Sequence, residues 1–100
     1  MTRNEDKIFV GDVGTAIIID IGEDTTDLIS AEIVVKKPNG TVVRWPASKH
    51  PTELTKIYYV SQAGDFDQPG PYQAQVHAVF PDWNGSGDID KFKVYPTLDT

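Results

Sequence analysis

The densest run of chemistry-bearing side chains is Asp82-Trp83-Asn84-Gly85-Ser86-Gly87-Asp88-Ile89-Asp90. Asp82, Asn84, Ser86, Asp88 and Asp90 offer oxygens at alternate positions, and Gly87 falls where a calcium loop makes its sharp turn. The pattern then breaks. Lys93 occupies the position that should carry a bidentate Glu, and no helix-forming stretch flanks the loop. Asp82, Asn84, Asp88 and Asp90 are therefore a weak calcium candidate. A hairpin turn built from turn-forming residues accounts for the same letters without a metal. Glu23, Asp24 and Asp27 form a second acidic run, which reads as a solvated loop.

The catalytic motifs are missing. His50 lies in a Pro-bounded loop, and His77 falls on the outward parity of a strand. Neither accompanies a nucleophile motif, and Gly85-Ser86-Gly87 is too short for a nucleophile elbow. Gly11-Asp12-Val13-Gly14 lacks the Lys-Ser/Thr of a phosphate loop. No enzyme and no cofactor are expected. Two interface candidates remain. Trp83 sits near the tip of a polar turn, either as an anchor for a partner or as a lid over the end of the domain. Gln73, Gln75 and His77, with Val34 on another strand, form an outward row on a sheet face.

The composition narrows the class. The chain has 100 residues, no Cys and a net charge of -6. The absence of Cys removes disulfide scaffolds, thiolate zinc sites and thiol nucleophiles. The negative balance argues against a nucleic-acid partner, because that affinity comes largely from Lys and Arg. The longest apolar run, Ala16 to Ile19, is far too short to span a membrane.

β-branched and aromatic residues come in short runs separated by Gly, Pro, Asn and Asp, which predicts an all-β fold with no long helix. Strands are expected over 7–10, 13–21, 31–37, 41–45, 53–60, 72–80 and 88–95. Val13, Ile17, Ile19 and Ile21 share the inward parity of the second strand, as Tyr72, Ala74, Val76, Ala78 and Phe80 do on the sixth. Asn39-Gly40 marks a hairpin, and residues 81–87 mark another. Seven such strands predict an immunoglobulin-like antiparallel two-sheet sandwich, with a small closed barrel as the alternative. Residues 1–6 read as a flexible N-terminal arm, 7–96 as the single domain and 97–100 as a short tail. Asp67, Gly70 and Tyr72 have the spacing of a tyrosine corner, in which the hydroxyl turns back onto the preceding loop. With no Cys to link the sheets, Trp45, Tyr59 and Phe66 are expected to fill the space between them.

Four segments carry a family resemblance: 7–15 at the start, Lys36-Lys37-Pro38-Asn39-Gly40-Thr41, 64–72, and Asp90-Lys91-Phe92-Lys93-Val94-Tyr95-Pro96. Together they resemble the small immunoglobulin-like structural proteins of tailed bacteriophages, and the N-terminal domains of phage baseplate upper proteins in particular. The resemblance implies a non-catalytic, oligomeric virion subunit made in the host bacterial cytoplasm. It would dock on other tail, baseplate or head proteins, with no nucleic-acid or membrane partner. The alternative function is a β-sandwich adhesion module that binds carbohydrate or the host surface.

Overall fold

A computed structural model of the chain describes residues 7–98. The expected arm at 1–6 and the last two residues of the expected tail lie outside the described residues. Seven strands, β1 (Ile8–Phe9), β2 (Ala16–Asp20), β3 (Ser30–Lys36), β4 (Val42–Lys49), β5 (Lys56–Val60), β6 (Gly70–Val79) and β7 (Asn84–Tyr95), account for the regular structure, with no helix among the described residues. They form one curled sheet in the order β1-β7-β6-β3-β4-β5-β2. It is mixed, because β1 runs parallel to β7 while every other pair is antiparallel.

The two-sheet division expected from the sequence becomes a single ladder, and β4 is the link. Its first part pairs with β3 as far as Ala47, and Ser48 and Lys49 then pair with β5. Pro46 was expected to end this strand. The strand runs through it because Pro46 pairs with Glu32 on β3 and β5 joins the opposite edge only from Ser48. A proline is tolerated where no ladder bond is needed from its nitrogen.

Alternation on β6 and β3 follows from the period of the pleat. Tyr72, Ala74, Val76 and Ala78 are buried, as are Ile33 and Val35. The β3–β4 turn is closed by the Lys37 amide donating to the Thr41 carbonyl at 2.8 Å, and Gly40 takes the positive φ of 90°. The second strand begins later than predicted. Gly11 and Gly14 adopt φ of 88° and 84°, and this detour leaves Val13 63% exposed rather than in the core. β7 begins earlier than predicted, at Asn84 instead of Asp88. Asn84, Gly85 and Ser86 pair with Val79, Ala78 and His77, and a bulge opposite the Gln75–His77 step absorbs one extra residue.

Aromatic rings fill the interior. Trp45 stacks on Tyr59 at 5.0 Å, and Phe66 meets Trp45 edge-on at 5.5 Å. Tyr72 stacks on Phe92 at 5.3 Å, with Phe66 standing edge-on to both. Offset and edge-on pairs of this kind add to the burial of their area. The Tyr72 hydroxyl donates to the Gln68 carbonyl at 2.9 Å and accepts the Gln68 amide at 3.3 Å. Beside it, Asp67 takes a hydrogen bond from the buried Lys37 ammonium at 2.8 Å, and Lys37 also donates to the Gly64 carbonyl. Gly70 (φ 122°) completes the corner, since a Cβ there would come within 3.2 Å of Pro38 Cγ.

Candidate functional site: an open seam between β2 and β7

The curl does not close. β2 pairs only with β5, and β1 covers β7 only at Val94 and Tyr95. Between these two edges lies a groove of about 410 Å³. Its walls follow from the strand parities. Ile19 and Ile21 point inward from the β2 side, and Val76 and Ala78 supply the floor from β6. Burial along the inner face of β7 records the opening. Val94 is fully buried, Phe92 is half-buried, and Asp90, opposite the buried Ala74, is exposed.

Trp83 stands at one end. Its ring stacks on Phe80 at 5.1 Å and lies so close over Gly85 that a Cβ there would be 3.0 Å from Trp83 Cζ3. It is nevertheless 48% exposed. The rim is acidic. Asp20 and Glu23 line one side and Asp88 and Asp90 the other, and no Lys or Arg lines the groove. Four exposed carboxylates around an apolar floor make a negative, open cleft, which attracts cations.

The residues singled out in the sequence divide between this seam and other surfaces. Asp88 and Asp90 line the groove together with Trp83, and Asn84 starts β7 beside them. Asp82 lies in the preceding turn, closed by the Phe80 amide donating to the Trp83 carbonyl at 2.8 Å. The proposed calcium loop is thus turn followed by extended strand. Among the described residues no group of three or more His, Cys, Asp or Glu is placed to hold a metal. Gln73, Gln75 and His77 lie on the outer sheet face, away from the seam. There the Gln75 amide donates to the Gly87 carbonyl at 2.9 Å, and His77 Nδ1 lies 3.3 Å from Ser86 Oγ. Asp67, Gly70 and Tyr72 lie in the corner described above.

Asp20 and Glu23 as one rim of a site were missed. Glu23 had been grouped with Asp24 and Asp27 by sequence adjacency. Asp24 instead accepts the amide and hydroxyl of Thr26, and these bonds hold its carboxyl below the usual carboxylate range. Only the inward parity of Ile19 and Ile21 hinted that the neighbouring acids would border an apolar cleft.

No family model and no curated protein matches the chain. Among solved structures, CopC from Methylosinus trichosporium OB3b is similar in fold, with a TM-score of 0.60 at 15% identity over 91% of this chain and 85% of that one. The finding corrects the resemblance drawn from the four segments. Those segments are turn-and-strand patterns that a β fold of this kind produces in any setting. The phage assignment, the virion-subunit function, the tail, baseplate and head partners and the virion location are withdrawn, and the adhesion alternative with them.

Proposed function

We propose that the chain is a non-catalytic binding domain that takes a positively charged ligand into the seam between β2 and β7. The observation that carries this reading is the groove itself, with an apolar floor, four rim carboxylates and no lining cation. Its size falls in the range of about 300–1,000 Å³ common to ligand clefts. The exposed face of Trp83 adds a surface for cation–π contact. The net charge of -6 adds long-range attraction for cations.

Among the described residues, His77 and Ser86 come nearest to a catalytic pair, and a non-catalytic role fits their placement. His77 and Ser86 lie on the outer sheet face, and Glu32, across from His77, is engaged by the Arg44 guanidinium. We also read the curled sheet as an immunoglobulin-like sandwich. The tyrosine corner at Tyr72 and the aromatic filling between the β3–β6–β7 and β2–β5 halves support this.

Soft-metal binding does not fit these residues. The chain has no Cys, and its single Met is Met1. Soft metals favour thioether and thiolate donors. His50 Nδ1 already accepts the amides of Thr52 and Glu53 at 3.2 and 3.1 Å in the loop after β4, whereas His77 is on β6.

The test is a fluorescence titration with spermine and with oligolysine, using Trp83→Phe as control. Trp45 is buried, so Trp83 is the responsive ring. The expected result is a cation-dependent change that fades with salt. The Asp88→Asn/Asp90→Asn double variant should bind roughly tenfold more weakly, about 1.4 kcal/mol. An equal response to oligoglutamate, or none to either cation, would refute the proposal.

A further inference from the structure

Two features of the seam specify its ligand more closely, given that the seam is the binding site. Both flanking edges are strand edges. From Asn84 to Asp90 the outer edge of β7 has no strand partner among the described residues, and neither has the outer edge of β2. A strand edge presents amides and carbonyls at a repeat, interrupted here once by the bulge between Ser86 and Ile89, and an extended polypeptide is the ligand chemistry that matches it on either side. We infer that the occupant is an extended segment of a partner protein, rich in Lys or Arg, that adds as a strand to the free edge of β7.

The side-chain pattern of that segment follows. Successive side chains of a strand point to opposite faces. One row would enter the groove on the face that Asp90 shares with the buried Ala74, where Asp88 and Asp90 border Val76 and Ala78, and it calls for Lys or Arg, whose apolar stems can cover the floor. The other row would lie on the outer face beside Ile89, which is 56% exposed, and calls for apolar residues. The stretch from Asn84 to Asp90 spans about 24 Å at about 3.4 Å per residue. A second copy of this chain is the poorer occupant. It would bring a net charge of -6 against -6 and set the same carboxylates against each other. Charged side chains on an exposed edge protect against self-pairing for this reason.

The experiment uses the full chain, labelled for amide-resolved hydrogen exchange, with three probes. These are a peptide alternating Lys and Val, the same peptide N-methylated at every second amide in each of the two registers, and spermine. The expected result is that the unmethylated peptide binds and slows exchange at alternate amides between Asn84 and Asp90. One methylated register should bind at least tenfold more weakly with its charge unchanged. If both methylated peptides bind as well as the unmethylated one, strand addition is overturned while the cationic seam stands. If neither peptide nor spermine binds, both readings fall. If those β7 amides are already protected in the free protein, or the protein dimerises through this edge, the edge is occupied and the inference is overturned.

Discussion

Replacing Tyr72 with Phe removes one hydroxyl and leaves the ring. The ring keeps its stack on Phe92 and its edge contact with Phe66, so the substitution isolates the corner hydrogen bonds. Those bonds are the donation to the Gln68 carbonyl at 2.9 Å and the longer acceptance from the Gln68 amide at 3.3 Å. Two ordinary hydrogen bonds would contribute about 2 kcal/mol together, at about 1 kcal/mol each. The second is long, and Gln68 is only half-buried, so water recovers part of the loss. We therefore expect a cost of about 1.5 kcal/mol. For a domain of this size that lowers Tm by roughly 6–12 °C. Urea denaturation should show a lower midpoint with an unchanged m-value. A cost below about 0.5 kcal/mol, outside the usual range for a buried hydrogen bond, would refute the view that this corner pins the loop before β6.

The neighbouring ion pair should respond asymmetrically. Asp67→Asn removes the countercharge of the buried Lys37 ammonium, leaving it only neutral acceptors, and should cost about 1–2 kcal/mol, less than a fully buried pair because Asp67 is half-exposed. Lys37→Met should cost less than Asp67→Asn in the same denaturation assay, and the reverse order would contradict the account. The Tyr59 hydroxyl is pushed up to about 12, first by burial and then by its 2.6 Å bond to Asp65. A folded pKa above the ordinary 10.0 means this stabilisation is whole below pH 10 and is lost as pH rises through about 12. Tyrosinate absorbance should therefore appear late in the native protein, and a Tyr59 that ionises near its ordinary value would contradict the packing. Gly85→Ala adds a Cβ 3.0 Å from Trp83 Cζ3 at a position without positive φ. Alanine gains about 0.5–1 kcal/mol over glycine in a strand, so stability should hold or rise slightly. Trp83 emission should shift to the red as the ring is displaced, and unchanged emission would contradict its placement over Gly85.

What the sequence made legible was local. The alternation from Tyr72 to Phe80 identified a strand and its buried face, because period two is a property of the strand itself. The Asn39-Gly40 turn was equally plain. Pro46 misled because its meaning depends on whether the adjacent edge is paired, which only strand order decides. Asn84 to Gly87 read as turn because their intrinsic preferences favour turns, yet pairing with β6 overrode them. Val13 had the inward parity but sits between two left-handed glycines that break the strand. The seam itself was not legible. It exists because β2 ends the ladder and β1 covers only the last two residues of β7, and this brings Glu23 and Asp90 to one groove from distant parts of the chain.

The most direct test of the central claim is an amide chemical-shift map of the labelled protein titrated with the alternating Lys-Val peptide. The account predicts that perturbations concentrate at Ile19–Glu23, Trp83 and Gly85–Asp90, and weaken with salt. Perturbations centred instead on the outer face, at Val42, Gln73 and His77, or no perturbation at all, would contradict it.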